Sequence, residues 1–198
     1  KKTIVVPYVG DGAKAAAASH NGVTLADFMA PFEPADLSFE RLPFNHPLYI
    51  MFSSGTTGVP KCIVHGAGGT LLQHRKEHLL HSGNGEGARV FYFTTCGWMM
   101  WNWLVSALAG GSTLLLYDGS PFHPHKTIVF DYLAEERATF FGTSAKYIDS
   151  ARKFGLKPRE SHDLSSVEVI ASTGSPLSPE GFAYVYSDVK EDVHLASI

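Results

Sequence analysis

Leu48-Tyr49-Ile50-Met51-Phe52 runs straight into Ser53-Ser54-Gly55-Thr56-Thr57-Gly58-Val59-Pro60-Lys61, and then into Cys62-Ile63-Val64-His65. The first five residues are continuously apolar, which predicts a strand buried on both faces. The last four predict another strand. Between them lies a loop rich in hydroxyls and glycine. Glycine lets backbone approach a ligand closely, and clustered amides and hydroxyls make a donor-rich hollow for phosphate oxygens. Lys61 adds a positive charge at the loop's end. The loop is not a Walker A sequence, because Val59 and Pro60 separate Gly58 from Lys61 and the following segment reads as a strand rather than a helix.

Outward from this loop, helices and strands alternate. Gly66–His81 reads as a helix with Leu71, Leu72, Leu79 and Leu80 on its apolar side. A strand at Arg89–Thr94 precedes an apolar helix, Trp98–Ala109, ended by Gly110-Gly111. Strands follow at Thr113–Tyr117, Thr139–Phe141 and Val167–Ala171, with helices at Lys126–Glu136 and Ser144–Phe154. Ser178-Pro179 opens a further helix, with Ser as N-cap and Pro in the first turn. This alternation predicts an α/β fold with a mostly parallel sheet flanked by helices. Upstream, Thr3–Val9 reads as a buried strand, and a short helix is expected near Thr24–Met29. Residues 1–45 are expected to form a connecting segment and residues 46–198 the α/β domain.

The 198 residues carry a net charge of −3, and 44% of them are hydrophobic. That composition suits a packed core and excludes wholesale disorder. Without a basic block, a nucleic-acid partner is not expected. No apolar run approaches the ~18 residues of a membrane span. Two cysteines and no Asn-x-Ser/Thr site fit a reducing, cytoplasmic setting. The chain begins without Met and stops inside an apolar run, which reads as a piece of a longer protein.

The loop Ser53–Lys61 matches, position by position, the phosphate loop of the adenylate-forming enzymes, which include the acyl-CoA synthetases. Thr95-Cys96-Gly97-Trp98 resembles the family's next motif, and Ala109-Gly110-Gly111-Ser112 its Gly-containing turn. Ser172-Thr173-Gly174-Ser175-Pro176-Leu177 resembles its Gly-Glu-Pro stretch. Within the family, Gly97-Trp98-Met99-Met100-Trp101-Asn102-Trp103 and Tyr117-Asp118-Gly119-Ser120-Pro121 are most similar to the branch that acts on acetoacetate. The resemblance implies ATP, Mg²⁺ and coenzyme A as cofactors and co-substrates, acetoacetate as the acid, and no metal held by the protein alone. It implies that Ser53, Ser54, Gly55, Thr56, Thr57, Gly58 and Lys61 bind phosphate, with Lys61 catalytic. Gly174, Ser175 and Pro176 would pack on adenine, and Gly97, Trp98, Met99 and Met100 would line the acyl and CoA pocket, joined by Trp101.

Two positions depart from the pattern of acetyl-CoA synthetases: Ser175 stands in place of Glu, and Met100 in place of a small Thr. The family's later motifs, with their acid near Mg²⁺, ribose-binding Asp and small C-terminal domain, would follow Ile198. The chain alone is therefore expected to be inactive.

The residues also allow rival readings. His74-Arg75-Lys76-Glu77-His78 fits H-x-x-E-H, which could hold zinc with Glu77 as base; a solvated helix face is the alternative. Cys96 could be a nucleophile or a buried thiol. Cys62 could be an oxidation-sensitive thiol or simply the first residue of a strand. Trp98, Trp101 and Trp103 could form the face of a non-catalytic interaction scaffold.

Overall fold

The computed structural model describes residues 1–53 and 58–198. The chain divides into two compact units, residues 1–42 and 43–198.

The first unit is a small β–α–β turn. Strand β1 (Thr3–Val5) pairs in parallel with β2 (Gly22–Thr24), and helix α1 (Gly12–Ala18) connects them. Asp11 caps α1 by accepting from the amides of Ala13 and Lys14. Thr24 caps α2 (Leu25–Met29) by accepting from the amide of Asp27. The expected buried strand Thr3–Val9 is corrected here. Only Thr3–Val5 is strand, and Ile4, Val6 and Val9 are exposed. A two-stranded ribbon of three-residue strands has too little sheet to bury both faces.

The second unit opens with a hairpin. Strand β3 (Pro47–Phe52) runs antiparallel to β4 (Cys62–Gly66), with Phe52 opposite Cys62. The strand expectation holds, but burial on both faces does not. Leu48, Ile50 and Phe52 are 48–67% exposed, because among the described residues β3 pairs with β4 alone. Helix α3 (Ala67–Lys76) follows and widens into a π turn at Glu77–His81. Its leucines are also corrected: Leu71, Leu72, Leu79 and Leu80 face solvent, while His78 is the buried residue.

The rest is a five-stranded parallel sheet. Its strands are β5 (Arg89–Tyr92), β6 (Thr113–Leu115), β7 (Phe140–Ser144), β8 (Val169–Thr173) and β9 (His194–Ser197), in the order β6-β5-β7-β8-β9. Alternate side chains go to opposite faces, and both faces are buried. Val90, Tyr92, Phe140 and Ala171 pack under α4 (Met99–Ser106). Phe91, Phe141 and Ile170 pack under α5 (Ile128–Glu135), α6 (Ala145–Lys153) and α8 (Pro179–Tyr184). A short α7 (Pro158–Ser161), not anticipated in the sequence, lies between α6 and β8. Ser144 and Ser178 cap α6 and α8 by accepting from the amides of Tyr147 and Gly181. Among the described residues no helix is long and apolar enough to cross a membrane.

Candidate functional site at the carboxyl ends of the parallel strands

The strand order has a reversal. From β5 the chain crosses outward to β6, then returns to the other side of β5 to add β7, β8 and β9. In open parallel sheets the crevice beyond the strand carboxyl ends at such a reversal binds ligands, because connections leave in opposite directions and open a gap. Residues 93–98 leave β5 at that reversal, and residues 174–178 leave β8, the strand beyond β7.

These loops meet. Trp98 sits edge-on to Tyr92, with ring centroids 6.1 Å apart. Gly174 adopts φ +90°, and a Cβ placed there would lie 3.7 Å from Trp98 Cζ2. The fold thus brings Gly97-Trp98 and Gly174-Ser175-Pro176 to one edge. Two ties hold the second loop: Thr173 Oγ1 donates to the carbonyl of Ile198 at 2.6 Å, and the Leu177 amide donates to Ser197 Oγ at 3.3 Å. Ser175 and Pro176 are exposed.

Met99 and Met100, adjacent in sequence, part company. Met99 is exposed at the first turn of α4. Met100 is 4% exposed, packed in the core with Tyr92, Trp103 and Leu104. A cavity of about 540 Å³ opens above β5 and β6, lined by Thr94, Thr95, Cys96, Trp101, Tyr117 and Asp118 among others. Tyr117-Asp118-Gly119, part of the stretch that resembles the acetoacetate branch, carry no site role from that resemblance; their position just past the end of β6 is the signal that finds them.

Of the phosphate-loop residues, Ser54, Gly55, Thr56 and Thr57 lie outside the described residues. Ser53, Gly58 and Lys61 are described. The Ser53 amide donates to the Lys61 carbonyl at 3.0 Å, and the Lys61 amide donates to Ser53 Oγ at 3.1 Å. Ser53 therefore closes the loop's base, a role its place in the motif does not reveal. The Lys61 residue is exposed. The hairpin stands beside α4, where Asn102 Nδ2 reaches Met51 Sδ at 3.5 Å. Phe52, Ile63 and Met99 share the wall of a groove of about 630 Å³.

Cys62 and Cys96 are both free and exposed. The buried-thiol expectation for Cys96 is corrected: its loop lies past the end of β5, beyond the packed layer. Cys62 is the first residue of β4. Among the described residues no group of three or more His, Cys, Asp or Glu is arranged to hold a metal.

The His74/Glu77/His78 motif has a specific geometry. His78 Nε2 donates to the carbonyl of Trp103 at 2.8 Å, and Asn84 Nδ2 donates to His78 Nδ1 at 3.3 Å. Both ring nitrogens thus meet protein groups. Burial pushes the His78 and His74 pKa values below their ordinary 6.5. For His78 the Trp103 carbonyl opposes that shift, and for His74 the Glu77 carboxylate does. A buried His held neutral takes up its proton more readily when unfolded. The contribution of each such His to stability is therefore nearly constant above pH 6.5 and falls as the pH drops below it, toward the lower folded value. Each such His removes at most about 1.4 kcal/mol by pH 5.5. His78→Asn is expected to flatten the fall in denaturation midpoint between pH 7 and 5.5, as well as lowering the midpoint overall. A slope identical to the unmodified chain's would refute this.

Comparison with known proteins follows the same outline. The profile of the AMP-binding enzyme family matches residues 4–194. An acetoacetyl-coenzyme A synthetase of Rhizobium meliloti is 66% identical over 99% of the chain, which spans 30% of that relative. A malonamoyl-CoA synthetase of Penicillium aethiopicum is 47% identical over 84% of the chain, covering 25% of that protein. The solved acetoacetyl-CoA synthetase of Streptomyces lividans superposes with a TM-score of 0.85 at 39% identity, over 99% of this chain and 30% of its own. The chain spans about 30% of the length of the acetoacetyl-CoA synthetases it matches. With its family profile covering nearly every residue and its parallel sheet superposing on a solved member, the chain belongs to the AMP-binding enzyme family.

Proposed function

We propose that this chain supplies the phosphate loop and part of the nucleotide and acyl sites of an ATP-dependent acid–thiol ligase acting on acetoacetate. The observation that carries the reading is the meeting of Trp98 with Gly174 beyond the carboxyl ends of the parallel strands, with the loop-bearing hairpin against α4. The identity with acetoacetyl-CoA synthetases supports the choice of acid.

A carboxylate is a poor electrophile because its leaving group would be oxide. In the first step a carboxylate oxygen attacks the α-phosphorus of ATP, and pyrophosphate leaves. In the second, the sulfur of coenzyme A attacks the acyl carbon, the acyl–oxygen bond breaks, AMP leaves, and the thiol proton passes to solvent. Charge builds on the departing pyrophosphate. Preorganised donors at that position lower the barrier. Ser54, Thr56, Thr57 and the glycine amides are proposed to donate to the β- and γ-phosphates, and Lys61 to neutralise charge. Mg²⁺ prefers hard oxygen ligands and commonly binds through substrate phosphates. Gly174, Ser175 and Pro176 would flank adenine, and Gly97, Trp98 and Met99 the acyl group. Met100 would act from behind, as core support. The chain by itself is proposed to be inactive and to reside in the cytoplasm.

Acid-dependent ATP–pyrophosphate exchange, measured on the whole protein, tests this. Acetoacetate is to be compared with acetate, butyrate and malonamate. Exchange strongest with acetoacetate is expected. Exchange with another acid would keep the reaction and replace the substrate. No exchange with any acid would favour a non-catalytic scaffold.

A further inference from the structure

We infer that Glu77 and His78, in the π turn that ends α3, are positioning residues that set the acyl side of the site through Trp103. The inference rests on the functional reading above. Helix α4 tightens after Ser106 into a 3₁₀ turn, Ala107–Gly110, and the Ala107 amide turns to the carbonyls of Leu104 and Val105. The Trp103 carbonyl is held from the side instead, by His78 Nε2 at 2.8 Å and Ser106 Oγ at 2.6 Å. The Trp103 indole Nε1 donates to Glu77 Oε2 at 3.1 Å, and the His78 ring lies against the indole at 3.9 Å between centroids. Two adjacent residues of the π turn thus grip one residue at two points, its backbone carbonyl and its ring nitrogen.

The gripped ring leads to the site. Trp103 packs edge-on against Tyr92 at 5.9 Å, Tyr92 against Trp98 at 6.1 Å, and Trp98 against Gly174. Tyr92 and Trp103 are almost wholly buried, so a tilt of the indole has no free volume to absorb it. It passes to Trp98 and to Met99, which begins the same helix. The π turn itself fits this role, since such turns recur at functional sites. The motif therefore holds an aromatic stack, with the Glu77 carboxylate taken up by the indole and by Gln73.

The test uses exchange kinetics in the whole protein, with KM for the acid and for ATP measured separately. Glu77→Ala is expected to raise the acid KM roughly tenfold and leave the ATP KM unchanged. Glu77→Gln, which keeps an acceptor oxygen for the indole, should restore most of it. Trp103→Phe keeps a ring but removes the N–H, so it should reproduce the Glu77→Ala shift, and the two together should be less than additive. An unchanged acid KM in a folded Glu77→Ala or Trp103→Phe protein overturns the inference. So does an equal rise in both KM values, or a loss of exchange no larger than the loss of folded protein. No exchange in the unmodified protein would instead overturn the functional reading on which the inference rests.

Discussion

Gly142→Ala is expected to destabilise the sheet domain by about 3 kcal/mol, at the upper end of the usual overpacking cost. Gly142 lies in β7, the central strand, opposite Tyr92 of β5. A Cβ added there would sit 2.0 Å from Tyr92 Cδ2 and 2.2 Å from Cε2. The requirement is for space, since Gly142 is not among the positive-φ glycines. Tyr92 cannot step aside easily: it is 2% exposed, wedged between Trp98 and Trp103, and its hydroxyl donates to the Thr143 carbonyl at 3.4 Å. Gly69 provides the contrast. It lies inside α3 with nothing within 4 Å of an added Cβ, so Gly69→Ala should stabilise by roughly 0.5–1 kcal/mol. Guanidinium unfolding followed by tryptophan fluorescence reads both. Equal midpoints for Gly142→Ala and the unmodified chain would show that the ring can yield. Tyr92→Leu should recover part of the Gly142→Ala loss, because the colliding ring atoms are gone.

Lys61→Ala in the whole protein is expected to slow ATP–pyrophosphate exchange on the order of 10²-fold, the scale seen when one preorganised charge-stabilising donor is removed. Its unfolding midpoint should not move. The hairpin base is closed by the backbone of Lys61 and by Ser53, neither of which the substitution touches, and the Lys61 residue is exposed. Lys61→Arg keeps the charge and should recover part of the rate. Ser53→Ala should behave differently, losing the acceptor for the Lys61 amide and so loosening the hairpin as well as slowing exchange. Unchanged exchange in Lys61→Ala would remove the lysine from the mechanism while leaving the family membership intact.

The difference between Lys61 and Ser53 shows how legibility was divided. Both stand in one nine-residue motif. Residue chemistry points each of them at phosphate, but only the register Phe52 opposite Cys62 turns the Ser53 hydroxyl back onto the chain. The same division holds for the helix after the hairpin. Its existence was readable from Gly66 to His81. Which side it buries was not, because that depends on where α4 lies, and the leucines lost the contest to His78. For β3, a continuous apolar run was read as buried on both faces. Burial is a property of neighbours, and among the described residues β3 pairs only with β4.

By itself the sequence determined the element types, the parallel α/β class, the cap at Ser178, and the family. These depend on local periodicity, capping chemistry and short-range motifs, all of which are carried by residues near one another in the chain. Tertiary structure alone decided the strand order that reverses at β5, the meeting of Trp98 with Gly174, the departure of Met100 into the core, and the grip of Glu77 and His78 on Trp103. Each of these joins segments brought together only by packing or strand pairing, or sorts neighbours onto different sides of one helix. No local pattern of residues encodes which distant surface a side chain will meet.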